Sequence, residues 1–295
     1  MSKYFIVFII TVLLLSGCGG GENGSGQYST FPAMSSLNTV SSGGSSLVLV
    51  ASAKDDMGIV GYCFSNSPVQ PLASDSCFQT SNSKTISTTS ALGRYYVWAK
   101  DAFGHVTPSS LSGPCSAAGY AASDLSNLNT VCMMTSLGEL VFELDSIHAP
   151  ITTSNFLQYV NTGFYPNLIF HRIVSSFMVQ GGGYTYTTTS GFSAKTATYS
   201  AIALEPTTIT GLSNTVGTLA MARTADINSA TSQFFINTVD NPSLNGASGY
   251  AVFGKIISGT SVLNTFKNVN VVDDGAGEIS KPTNPPVIQW VYQIK

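Results

Sequence analysis

The chain has 295 residues, a net charge of −3 and only 9% charged side chains against 43% hydrophobic ones. That length leaves room for two domains, and the weak negative charge gives no electrostatic footprint for nucleic acid. The apolar segments are periodic enough to fold rather than remain disordered, and the abundance of Ser, Thr, Gly and Asn suits an exported, β-rich protein.

At the N-terminus, Met1-Ser2-Lys3 places a positive charge before an apolar run from Tyr4 to Leu15 that only Thr11 interrupts. The run is short for a membrane span and has the form of a signal-peptide core. Leu15-Ser16-Gly17-Cys18 then sets small residues before a cysteine, which resembles the lipobox of bacterial lipoproteins. The resemblance implies removal of residues 1–17, a lipid on the Cys18 thiol and a membrane anchor at the new N-terminus. Gly19, where an aspartate would signal retention at the inner membrane, implies the outer membrane, facing periplasm or cell surface. Residues 18–46 read as a flexible tether able to span about 30 Å.

Residues 47–115 change character. Leu47–Ala51, Gly58–Phe64 and Tyr95–Ala99 are short β-like runs separated by polar clusters, which suggests a small β-sandwich. The segments Ala53–Tyr62 and Tyr96–Gly104 resemble bacterial immunoglobulin-like repeats. This unit carries no catalytic constellation, His105 reads as a turn histidine, and a spacer or docking role is the expectation. With Cys18 assigned to lipid, four cysteines remain and allow three pairings. Cys63 with Cys77 is the candidate disulfide inside this unit, Cys115 with Cys132 would staple the interdomain region, and free thiols stay open. There is no CxxC, and neither a metal site nor a cofactor is expected.

Residues 116–129, rich in Ser, Ala and Gly, read as a linker. From residue 130 onward the pattern strengthens. Cys132–Thr135 and Gly138–Leu144 predict a hairpin. Pro150 opens a helix with Phe156, Leu157 and Val160 on one stripe and Gly163 as its stop. A second helix is predicted between Gly259 and Asn270, with Val262, Leu263 and Phe266 apolar. Further short strands around them fit a closed barrel whose open ends the two helices plug.

Phe170-His171-Arg172, followed by Phe177-Met178-Val179-Gln180-Gly181-Gly182, sets one arginine and one glutamine among large apolar side chains. Period-two alternation puts Met178 and Gln180 on one face and turns His171 away from Arg172, as a satisfied core histidine. In Ser232–Asn237 the same alternation separates Gln233 and Phe235 from Phe234 and Ile236. Together with Met221-Ala222-Arg223 and Val252-Phe253-Gly254, these motifs in this order resemble the cyclophilins, peptidyl-prolyl cis-trans isomerases, of the bacterial exported type. The resemblance covers residues 130–295. It implies a mainly β fold, an eight-stranded antiparallel barrel capped by two helices.

The same resemblance implies Arg172 as the catalytic arginine with Gln180 beside it to orient the guanidinium. It implies Phe177, Met178, Phe235 and Leu244 as a proline pocket, and Ala222, Arg223, Gln233 and Tyr250 along the peptide groove. Ser243 stands where many eukaryotic members have tryptophan, Tyr250 where they have histidine and Arg223 where they have asparagine. The last two departures are shared with exported bacterial members. Gly181-Gly182-Gly183 has no helix or lysine after it to make a phosphate loop, and its plain role is close backbone approach after a strand. The expected activity is isomerisation of X–Pro bonds in exported, unfolded polypeptides by a membrane-anchored monomer. The alternative is a non-catalytic lipoprotein that binds or scaffolds proline peptides.

Overall fold

The computed structural model describes residues 30–41, 45–89 and 93–295; the expected signal segment and Cys18 lie outside them. Among the described residues, seven short strands come first: β1 (Ala33–Ser41), β2 (Ser46–Lys54), β3 (Ile59–Ser65), β4 (Phe78–Gln79), β5 (Ser83–Ser87), β6 (Tyr95–Asp101) and β7 (Leu111–Gly113). They pair antiparallel into two sheets, ordered β1-β2-β5 and β4-β3-β6-β7. Alternation along β2 turns Leu47, Leu49 and Ala51 inward. A disulfide joins Cys63 on β3 to Cys77, just before β4. After β6, the buried Asp101 carboxylate accepts from the backbone of Phe103 and His105 and lies 2.8 Å from His105 Nδ1. His105 therefore braces a turn.

Two expectations from composition are corrected here. Residues 33–41, assigned to the tether, form β1 and pair along β2. A ladder is built from backbone groups, so a segment rich in Ser, Thr and Asn completes it as well as an apolar one. Residues 116–129, assigned to a linker, contain the helix α1 (Ala117–Leu125). Alanine is the best helix former, and the Ser116 hydroxyl caps the first turn by accepting from Gly119 N–H at 3.0 Å. The small residues also let this helix sit very close to its neighbours. A Cβ on Gly119 would meet Glu139 Oε1 at 2.7 Å and Val141 at 2.9 Å.

The second unit comprises β8 (Asn129–Thr135), β9 (Gly138–Leu144), α2 (Pro150–Asn161), β10 (Ile169–Val174), β11 (Met178–Thr187), β12 (Gly191–Ala194), α3 (Thr207–Thr210) and β13 (Thr218–Met221). It continues with β14 (Phe234–Asn237), β15 (Val252–Ser258), α4 (Thr260–Lys267), β16 (Val271–Asp273), β17 (Ile279–Pro282) and β18 (Ile288–Gln293). Eight strands form one curled sheet in the order β10-β11-β14-β13-β15-β9-β8-β18, with β12 beside β11. The expected closed barrel is corrected to an open one. Between its end strands the pairing is confined to one bridge, Ile169 to Val287, with backbone hydrogen bonds from Phe170 N–H to Pro286 O at 2.9 Å and from Ile288 N–H to Leu168 O at 2.8 Å. Pro285 and Pro286 lead into β18 without N–H groups to donate, so the pairing stays this short.

Both predicted helices cover the sheet's inner core, α2 through Phe156, Tyr159 and Val160 and α4 through Leu263 and Phe266. Pro150 begins α2 without a local side-chain cap. Glu205, from a distant loop, accepts instead from Ile151 N–H at 3.0 Å and Thr152 N–H at 2.7 Å.

The two units share apolar core. Leu47, Leu49 and Ile86 belong to one cluster with Tyr120, Cys132, Val141, Trp290 and Tyr292. The disulfide Cys115–Cys132 closes over it. The Tyr120 and Tyr292 hydroxyls are 2.9 Å apart, and burial pushes the Tyr120 hydroxyl up to about 12. Arg94 lies 4.4 Å over the Tyr120 ring and pairs with Asp124 at 2.9 Å. Leu49 is fully buried in this cluster, so Leu49→Ala should cost about 2–5 kcal/mol. Because the cluster spans both units, tyrosine fluorescence and far-ultraviolet dichroism should follow one unfolding transition in denaturant. Two separate transitions in the wild-type protein would contradict a shared core.

Candidate active site

The candidate residues lie on the outer face of the curled sheet, where β10, β11, β14 and β13 run side by side. The registers pair Arg172 with Gln180, Gln180 with Phe235, and Phe235 with Ala220, so these four residues form one row across four strands. The opposite face carries Phe170, Ile173, Val179, Phe234 and Ile236 into the core. Residues 170 and 172 would share a face in a regular strand. They do not, because the β10–β11 register shifts between Phe170 and Arg172. His171 is the extra residue of this bulge, and the bend turns Arg172 outward.

Arg172, Phe177, Met178, Gln180, Ala222, Arg223, Phe235, Leu244 and Tyr250 line one concavity of about 140 Å³. Its floor is Met178, Phe235 and the adjoining Ala220 and Val252, all buried. A second concavity shares Gln180, Ala222 and Arg223 and continues to Gln233 and Thr231. The sequence-predicted pocket and groove residues therefore converge on one continuous surface.

Each wall is held by polar groups. Gln180 Nε2 donates to Gln233 Oε1 at 2.9 Å. The Gln233 side chain fits over Gly183, where a Cβ would meet its amide at 2.6 Å. The three glycines lie inside β11 rather than after it. Arg223 donates Nε to Gly249 O at 3.2 Å and Nη1 to Thr224 O at 2.8 Å, and its guanidinium lies 4.5 Å from the Tyr250 ring centre. Tyr250 meets Phe235 edge-on at 5.6 Å. On Arg172, Nε and Nη2 each donate to one Glu278 oxygen at 2.6 Å, and Nη1 lies 3.8 Å from Met178 Sδ.

The model of the cyclophilin-type peptidyl-prolyl cis-trans isomerase family matches residues 130–292. Peptidyl-prolyl cis-trans isomerase A of Dickeya dadantii is 42% identical over 168 residues, which is 56% of this chain and 84% of that protein. Peptidyl-prolyl cis-trans isomerase cyp18 of Streptomyces antibioticus is also 42% identical over 168 residues, 55% of this chain and 96% of that protein. Peptidyl-prolyl cis-trans isomerase B of Escherichia coli is 46% identical over 145 residues, 47% of this chain and 84% of that protein. The chain belongs to the cyclophilin family. Its enzymatic class is peptidyl-prolyl cis-trans isomerase.

Three features of this cyclophilin site differ from the sequence reading. Gln180 stands opposite Arg172 in the ladder and donates its amide N–H to Gln233, while the guanidinium is bonded to Glu278. Sequence reasoning missed Glu278 because it comes from the turn between β16 and β17, more than 100 residues away. Its sequence signal was the acidic, glycine-rich run Asp273-Asp274-Gly275-Ala276-Gly277-Glu278. Also missed were Asn214, Asn237 and Asn241, all buried. Asn241 Nδ2 donates to Phe177 O at 2.8 Å and to Asn237 Oδ1 at 2.7 Å, while Asn237 Nδ2 donates to Asn214 Oδ1 at 3.1 Å. This amide network fixes the segments bearing Phe177 and Leu244. An asparagine ending the apolar run Phe234-Phe235-Ile236 was its signal.

His171 is the third difference. It is only partly satisfied: it packs on Tyr184 at 4.4 Å between ring centres, and its buried Nδ1 has no partner among the described residues. Burial, reinforced by the Arg172 charge and opposed by a hydrogen bond to the Ile169 backbone, lowers its pKa from 6.5 to about 4. A folded state that resists protonation binds fewer protons than the unfolded chain in that window, so stability falls as pH drops from 6.5 towards 4 and this loss ends there. His171→Phe, which keeps a ring against Tyr184, should flatten the decline of melting temperature across that range. Identical slopes for variant and wild type would rule out the assignment.

Proposed function

We propose that this cyclophilin turns X–Pro bonds in exported polypeptides, with Arg172 as the donor that stabilises the twisted amide. The observation that carries the reading is the lining of the pocket: two guanidinium groups, Arg172 beside the apolar floor and Arg223 at the rim, with no histidine or carboxylate among the lining residues. Such a surface suits non-covalent catalysis. Rotation about the X–Pro bond crosses a barrier of about 18–20 kcal/mol because amide resonance is lost. In the twisted state the prolyl nitrogen regains its lone pair and accepts a hydrogen bond. A donor that finds its acceptor only then binds the transition state better than the ground state. Arginine stays charged throughout and offers several N–H groups in a rigid plane.

In this reading Phe177, Met178, Phe235 and Leu244 seat the prolyl ring and exclude water. Gln180, Ala222 and Gln233 receive the flanking peptide, and Arg223 with Tyr250 forms the rim. A charge-assisted hydrogen bond contributes about 1.5–3 kcal/mol, so Arg172→Ala should lower kcat/KM by about 10- to 150-fold. Exchange spectroscopy by NMR on a short X–Pro peptide measures this directly. Turnover equal to wild type would remove Arg172 from the mechanism.

The envelope location rests on the sequence of the first 19 residues. In our reading Cys18 carries the lipid, the outer membrane holds it, and the first unit is an immunoglobulin-like element between anchor and isomerase. Two antiparallel sheets and an internal disulfide support that last assignment. Cys18→Ser should abolish incorporation of a fatty-acid label and release the chain from the outer-membrane fraction. A variant that still carries the label and fractionates with membranes would overturn the anchor.

A further inference from the structure

We propose that Glu278 is the positioning residue of the active-site arginine, holding it edge-on so that Nη1 is the donor presented to the proline pocket. The inference rests on the reading of Arg172 as the transition-state donor. Glu278 takes the Nε and Nη2 hydrogens with two parallel bonds of 2.6 Å, the fork geometry that fixes a guanidinium plane as well as its position. What remains free of the carboxylate is the Nη1 end, on the side of Met178, whose side chain floors the pocket. The guanidinium also meets the Met178 sulfur and the Phe177 ring at 5.8 Å, and feels the more distant Tyr250 and Asp274. Of these partners only Glu278 takes two parallel hydrogen bonds from the planar fork. Gln180, the residue opposite in the ladder, donates its amide N–H to Gln233.

The carboxylate is itself held in place. Asp273 Oδ1 accepts from Gly275 N–H at 2.7 Å, and Asp274 Oδ1 accepts from Ala276 N–H at 2.7 Å and Glu278 N–H at 3.2 Å. Asp274 N–H returns to Glu278 O at 2.9 Å. The turn thus delivers Glu278 at the start of β17, which packs against β10, the strand of Arg172. The pairing lowers the Glu278 pKa to about 2, so the clamp persists through the neutral range.

The two side chains are 34% and 39% exposed. Ion pairs this exposed add little to folding, so the effect belongs in turnover rather than in stability. A long arginine side chain released from the fork would spread over many rotamers, and its donor would reach the twisted amide in only a fraction of them.

The test compares Glu278→Ala, Glu278→Gln and Arg172→Ala in the full chain, with kcat and KM measured separately on a proline tetrapeptide. Glu278→Ala should lower kcat about tenfold while KM stays within about twofold, because the interaction lost is made in the transition state. Glu278→Gln, which keeps one oxygen acceptor, should recover part of the loss. The melting temperature should stay unchanged, and the Arg172 Nε–H resonance, sharp in the wild type, should broaden in Glu278→Ala. A kcat at or above wild type in Glu278→Ala, or a change confined to KM, would overturn the proposal. If Arg172→Ala itself were fully active, the role of Arg172 would fail instead, and the clamp with it.

Discussion

One inserted residue governs the chemistry of this sheet. At His171 the β10 strand gains a residue over β11, and everything after it changes face. Without that bulge Arg172 would follow Phe170 into the apolar interior, where an uncompensated guanidinium is prohibitively expensive. With it, Phe170 packs against Phe266 at 4.6 Å between ring centres while Arg172 emerges over Met178. The cost is carried by His171 itself, left half-buried and neutral with a ring nitrogen unpaired among the described residues. Local irregularity is thus the source of the functional geometry.

The outer row of Arg172, Gln180, Phe235 and Ala220 is a rigid platform because its other face is the core. Around the platform, polar networks from loops do the aiming. The buried asparagines hold Phe177 and the Leu244 turn, backbone carbonyls of residues 224, 248 and 249 hold Arg223, and Glu278 holds Arg172. Strands supply precise spacing, and loops supply groups no strand could bring close. This division suits the proposed mechanism, in which no covalent bond forms and the position of the donor matters.

The first unit is less separate than its composition suggested. Its β2 leucines enter the same cluster as Trp290 and Tyr292, and α1 fills the space between. The Ser- and Ala-rich stretches were read as coil because they lack apolar periodicity. Yet β1 needed only backbone pairing and one side chain, Leu37, against the shared cluster. In α1 the small side chains permit close approach, which composition cannot distinguish from a linker.

The sequence by itself determined the cyclophilin identity, the two capping helices and the set of side chains that line the pocket. Those follow from local periodicity and from motifs whose residues sit within a few positions of one another. Only the tertiary structure decided how the sheet stays open beside Pro285 and Pro286, where the bulge falls, and that Glu278 rather than Gln180 grips Arg172. Each of these depends on which distant backbone lies alongside, a relation that no periodicity within a single strand encodes.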